Sequence, residues 1–191
     1  MKRFQLSTAI LLFGAAAAFG QESAPVPIAE AGVNFSAYHA MPGGGYQGLT
    51  LSGGSAVFAY NFNKTFSAIA DLGGYHNPVD GNYNPTTFTY MFGPRVSFRR
   101  SRITPYVQSL FGGARLSSSF VDPTTALAAT PRNGFAAAFG GGMDVKLKNH
   151  IVLKPFQLEY MVTRVANPWS VTPSQNNFRY SAGAVYTFGS R

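Results

Sequence analysis

Chemistry in a 191-residue chain without cysteine must come from histidines, serines, carboxylates and cations. A serine-type hydrolase or acyltransferase needs a histidine base beside a serine nucleophile and an acidic partner. The histidines are His39, His76 and His150, and Ser117, Ser118 and Ser119 form the most conspicuous serine run. No spacing joins them into a triad, so no catalytic residue is expected. His39 and His76 are read as bystanders rather than metal ligands, and no metal or cofactor is expected. Gly43-Gly44-Gly45 lacks the lysine and helix of a phosphate-binding loop and reads as a loop tip. What remains is a set of seven charged residues, Glu30, Asp71, Arg95, Asp144, Lys146, Glu159 and Arg179. Each falls on the small, mildly polar side of an alternating segment.

That alternation has period two. Phe178, Tyr180, Ala182, Ala184, Tyr186 and Phe188 share one face of the last segment; Asn177, Arg179, Ser181, Gly183 and Thr187 share the other, with Val185 among them. Phe135, Ala137, Phe139, Met143, Val145 and Leu147 stand opposite Ala136, Ala138, Gly140, Gly142, Asp144 and Lys146. A soluble sandwich buries its large apolar face and charges the other richly. Here the second face is Gly, Ala, Ser and Thr with an occasional charge. That suits a barrel in lipid, with the aromatic face outward and small residues filling a narrow lumen.

Turn signals divide the chain into eight strands near 29–39, 49–62, 66–75, 87–98, 103–115, 134–147, 151–164 and 177–188. The connections 63–65, 99–102 and 148–150 are short; 40–48, 76–86, 116–133 and 165–176 are long. Outer-membrane barrels have short periplasmic turns and long external loops, whereas a soluble sandwich has no reason for such alternation. The expected fold is all-β: an eight-stranded, antiparallel, up-and-down transmembrane barrel. The closed sheet leaves no edge unpaired in lipid.

Lys2 and Arg3 precede an apolar run, Thr8 to Phe19, which ends in Ala18-Phe19-Gly20. This reads as a cleaved signal peptide over 1–20, followed by a short linker over 21–28 and the barrel over 29–191. The run is too short to span a membrane as a helix. Charged residues make up 12% of the chain, about half the usual share. With so many aromatics, disorder is excluded. Fifteen Lys and Arg against seven Asp and Glu give a charge of +8. The cations gather at separate short turns (Lys64, Arg99, Arg100, Arg102, Lys148), which suits lipid headgroups and not nucleic acid.

Inside an eight-stranded barrel the seven charges must pair. Glu159 with Arg179, and Asp71 with Arg95, are the expected pairs. Tyr38, Tyr60, Phe62, Phe66, Tyr75, Phe98, Tyr106, Phe156, Tyr160, Tyr180, Tyr186 and Phe188 are read as membrane-interface girdles. Ser181, Gly183, Tyr186 and Phe188 resemble the terminal signal read by the outer-membrane insertion machinery, except that Gly189-Ser190-Arg191 follow the final aromatic.

The phrases Gly53 to Phe62, Ala70 to His76, Phe111 to Arg115 and Ala138 to Val145 carry a resemblance over the whole mature chain. It is similar to the small outer-membrane β-barrel domain family, related to the OmpA transmembrane domain and the opacity-type porin-family proteins. The resemblance implies an exported barrel in a bacterial outer membrane. Its expected partners are outer-membrane lipid, lipopolysaccharide and the insertion machinery, and its loop ligand is unknown. The expected role is structural, for envelope integrity, or one of surface interaction through external loops. The alternative is a narrow porin-like channel for small solutes; a lipid-modifying enzyme ranks below both.

Overall fold

The computed structural model describes residues 26–41, 48–77, 83–120, 132–148, 150–164 and 174–190. The proposed leader, the Gly43–Gly45 tip, the tip of the third long loop and Trp169 lie outside them. Eight strands follow one another: β1 (Ala29–Met41), β2 (Leu49–Asn61), β3 (Phe66–His76), β4 (Tyr83–Ser97), β5 (Ile103–Phe120), β6 (Arg132–Lys148), β7 (Ile151–Arg164) and β8 (Ser174–Phe188). Each pairs antiparallel with the next, and β8 returns to β1 to close the barrel. Several strands outrun the hydrophobic alternation at their loop ends. Thr86, for example, still pairs with Ser117, and Asn84 with Ser119. The backbone ladder continues above the apolar band, where the side-chain pattern no longer marks it.

The short turns are built from local chemistry. Asn63 Oδ1 accepts from the backbone N–H of Thr65 and of Phe66, both at 2.8 Å, which fixes the reversal from β2 to β3.

Side chains alternate as the period requires. On β3, Ser67, Ile69, Asp71, Gly73 and Tyr75 are buried, while Phe66, Ala68, Leu72, Gly74 and His76 face out. The outward face of the barrel is aromatic and aliphatic: Phe35 is 68% exposed and Phe139 63%. A continuous apolar face of this kind is not sustained in water; in hydrocarbon it is the favoured surface. The shortest strand, β3, has 11 residues. At about 3.3 Å per residue and a tilt of about 40° it rises roughly 28 Å, enough to cross an apolar band of about 25 Å.

Near its start β7 departs from simple alternation. Lys154 and Gln157 on β7 pair with Gly183 and Ser181 on β8, three steps against two. Met143 and Val145 on β6 pair with Phe156 and Leu153, again with one extra residue on β7. This is a β-bulge at Pro155, where a residue without an N–H is tolerated within a ladder. It reverses the facing of everything below it, so Lys154 points inward and is 0% exposed.

Candidate functional site

The chemistry-bearing side chains gather in the lumen. Arg179 on β8 is its centre, fully buried. Its Nε donates to Glu159 Oε2 at 2.7 Å, and its Nη2 lies 2.6 Å from the same oxygen. Its Nη1 and Nη2 donate to the two oxygens of Asp71 at 3.0 and 3.1 Å, and Nη1 also donates to the Tyr75 hydroxyl at 2.7 Å. These five contacts match the five N–H donors of a guanidinium. β7 and β8 supply the ion pair directly, because Glu159 and Arg179 are register partners. Asp71 reaches Arg179 across the lumen from β3.

A second cluster fills the lumen toward the short-turn end. Arg95 Nη1 lies 3.7 Å from Glu30 and 3.8 Å from Asp144. Its guanidinium stands over the Tyr106 ring, 4.2 Å from the centroid. Arg99, from the turn after β4, folds back over the mouth. Its Nη2 donates to Glu30 Oε1 at 2.8 Å and to Asn61 Oδ1 at 2.9 Å. Gln108 joins the two clusters: its Oε1 accepts from Arg95 Nε at 3.1 Å, and its Nε2 donates to Glu159 Oε1 at 2.8 Å. One polar network therefore runs from the turn-side mouth to the middle of the barrel. On the loop side of it Tyr38 stacks on Tyr75, with centroids 5.1 Å apart. Leu51, Met91, Leu110 and Met161 are buried in the apolar cluster that holds both rings.

Six of the seven expected charges are buried here. Lys146 is the correction: it is exposed at the turn-side mouth, next to a register shift between Lys146 and Lys148, and it lines a cavity there. Asp71 does not pair with Arg95. On β4 the register partner of Asp71 is Met91, four residues from Arg95, or about 13 Å along the strand. Two further cations enter the lumen, Lys154 and Arg99, the latter expected instead as a turn cation at lipid headgroups. Lys154 is turned inward by the Pro155 bulge, its Nζ donating to Gln157 Oε1 at 3.2 Å. Arg99 lies outside any strand, so no periodicity reports it. With the half-buried Arg99 the lumen set now balances: Glu30, Asp71, Asp144 and Glu159 against Arg95, Arg99, Lys154 and Arg179.

Tyr38, Tyr75 and Tyr106 also need correcting: they are lumen residues, not girdle residues. Tyr106 lies directly opposite Gly142 on β6, and a Cβ on that glycine would come within 2.6 Å of the Tyr106 hydroxyl. The tyrosine occupies the space the glycine leaves. Tyr60, Phe62, Phe66, Phe98, Phe156, Tyr160, Tyr180, Tyr186 and Phe188 are exposed on the outside.

In the terminal segment, Ser181 faces the lumen with its Oγ 2.8 Å from that of Ser36. Gly183 abuts the β1 backbone at Val33 and Asn34. Tyr186 and Phe188 meet edge to face on the outer surface, 4.9 Å apart. The histidines stand apart from the network. His39 and His76 each bond a threonine on the neighbouring strand, Thr50 and Thr86, at 2.9 and 3.1 Å. His150 bonds the Thr187 carbonyl at 3.0 Å. Among the described residues no three His, Asp or Glu side chains are grouped to hold a metal.

No protein-family model and no curated protein matches the chain. Solved structures do. Neisserial surface protein A aligns with a TM-score of 0.66 at 10% identity, covering 87% of this chain and 100% of that one. The attachment invasion locus protein Ail of Yersinia pestis gives 0.56 at 15% identity, with 84% and 97% covered. The outer membrane protein OprG of Pseudomonas aeruginosa gives 0.54 at 12%, with 88% and 99% covered. At such identities the likeness speaks to fold. With its apolar outer face and filled polar lumen, the chain has the fold of the small, OmpA-like, eight-stranded β-barrels of the bacterial outer membrane.

Proposed function

We propose that this barrel serves as a closed membrane scaffold: it contributes to envelope integrity and presents its four long loops for contact outside the cell. The observation that carries this reading is the complete burial of Arg179, held by Glu159 from β7 and by Asp71 and Tyr75 from β3. A side chain tied across an eight-stranded lumen leaves no room for a hydrated solute. The reading is non-enzymatic. Its lipid partners are outer-membrane lipid and lipopolysaccharide, met by the apolar face and by Arg115 and Arg164, both exposed at the loop ends of β5 and β7. Ser181, Gly183, Tyr186 and Phe188 are proposed as the segment read by the insertion machinery. Two solved neighbours, named a surface protein and an attachment invasion locus protein, agree with an outward-facing role.

Solute uptake tests the closed scaffold directly. Liposomes loaded with the folded protein are expected to swell in small sugars or amino acids no faster than empty ones. Swelling that scales with the amount of protein would replace this reading with that of a pore.

A further inference from the structure

Among the described residues every carboxylate is buried in the lumen; Glu30, Asp71, Asp144 and Glu159 are at most 8% exposed. The described outer surface is left with cations alone. At the loop end these are Arg115, Arg132 and Arg164, on β5, β6 and β7, and no other strand carries Lys or Arg there. Arg115 and Arg164 are exposed, each in step with an outward aromatic of its own strand, Phe111 and Tyr160. Neither has an ion-pair or hydrogen-bond partner among the described residues.

The register fixes how the two stand. Arg115 lies opposite Asn133 on β6, and Arg164 lies opposite Phe135, two residues further along the same strand. Asn133 and Phe135 are exposed as well. With strands about 4.8 Å apart and a rise of about 3.3 Å per residue, the two arginine Cα atoms are about 12 Å apart. From Ile103, the first outward apolar residue of β5, to Arg115 the wall rises about 30 Å at a tilt of about 40°. That clears an apolar band of about 25 Å and brings Arg115 to headgroup height. Arg164, level with Gly113, stands one step lower and reaches the same height by extending its side chain. Long loops mark this end of the barrel as the outer one.

Guanidinium forks hold phosphates through paired, charge-assisted hydrogen bonds. Asn133 and Phe135 stand between the two forks, so they do not close on one phosphate. A phospholipid headgroup, with its single phosphate, would engage only one of them. The complement is a headgroup with two phosphates held apart by sugar rings, whose hydroxyls meet the Asn133 amide and whose apolar face meets Phe135. We infer that the outer rim of β5–β7 is a binding site for one bisphosphorylated glycolipid, the lipid A portion of lipopolysaccharide by chemical class. Its phosphates lie on Arg115 and Arg164, and its acyl chains run down the wall past Phe111, Phe139 and Tyr160. The site presupposes the lipid contact of the closed scaffold and fixes its sector and its stoichiometry.

Native mass spectrometry of the folded protein released from micelles tests this with three probes: diphosphoryl lipid A, monophosphoryl lipid A and phosphatidylglycerol. One diphosphoryl lipid A should bind per barrel, at least about tenfold tighter than either of the others, the worth of one charge-assisted hydrogen bond. Arg115→Gln and Arg164→Gln, both at exposed positions that leave the wall intact, should each bring diphosphoryl lipid A down to the monophosphoryl level. Lys148→Gln, exposed at the opposite end, should keep the full preference. Equal affinity for the two forms of lipid A, or a preference kept in both arginine variants, would overturn the site. So would an equal loss in Lys148→Gln, which would report charge count alone. Solute swelling reads the lumen and not this rim, so absence of swelling together with no lipid preference would strike the site and leave the scaffold standing.

Discussion

Arg179 and Asp71 stand on strands separated by two others, β1 and β2, and meet across the lumen through two N–H···O contacts of 3.0 and 3.1 Å. Glu159, next to Arg179 on β7, completes the clasp. The barrel is therefore tied through its middle as well as around its wall. Its buried charges have somewhere to go only because they are arranged as a network.

Removing the central cation isolates two carboxylates in a dry lumen. Arg179→Ala should cost about 3–5 kcal/mol, the usual penalty for breaking a buried ion pair. Replacing both members of the clasp with apolar groups, Arg179→Met with Glu159→Leu, should recover part of that loss, because Asp71 is then the one charge of the clasp left without its partner, while Gln108 and Tyr75 each lose a neutral hydrogen-bond partner. Denaturant unfolding in lipid vesicles measures both. A double variant less stable than Arg179→Met alone would contradict the account.

The Pro155 bulge makes a prediction opposite to that of plain alternation. Counting in twos from Glu159 turns Leu153 inward and Lys154 outward; the structure turns Leu153 out, 40% exposed, and Lys154 in. The chain has no cysteine, so single-cysteine probes are clean. Leu153→Cys should react with a lipid-soluble maleimide in vesicles, and Lys154→Cys should not. The reverse pattern would remove the bulge.

Phe188 ends β8 on the outer surface against Tyr186, and its backbone carbonyl accepts from the Ile28 N–H at 2.9 Å, closing the seam between first and last strands. Phe188→Ala should reduce the fraction of folded protein in cell membranes several-fold while leaving in vitro folding into detergent nearly unchanged. Quantitative comparison of heat-modifiable band intensities from cells and from refolding checks this. Equal losses in both would assign Phe188 a packing role and no part in insertion.

Much of this was legible in the sequence, for physical reasons. A strand that faces lipid on one side and a narrow lumen on the other must alternate large apolar with small or charged residues, so β3 and β8 announce both faces. The Glu159–Arg179 pair follows from adjacency of β7 and β8. What stayed hidden depended on departures from that rule. Lys154 changes sides through one extra residue; Pro155 in mid-strand was the available signal, since proline there asks for a bulge. Arg99 enters from a turn, where no period applies. Tyr38, Tyr75 and Tyr106 looked like interface aromatics because a tyrosine suits both settings. Their parity tells them apart: Tyr75 is in step with Asp71, and Tyr38 with Glu30. The Asp71 partner was hidden because it lies across the lumen, where three-dimensional closure and not strand adjacency brings residues together.

The central claim is that the clasp closes the lumen, and planar-bilayer conductance tests it most directly. Wild-type protein, with its folded state confirmed on the same sample, should give a silent bilayer, while Arg179→Ala should produce discrete current steps. Reproducible steps from wild type, unchanged by Arg179→Ala, would show that ions pass by a route the clasp does not control and would contradict the account.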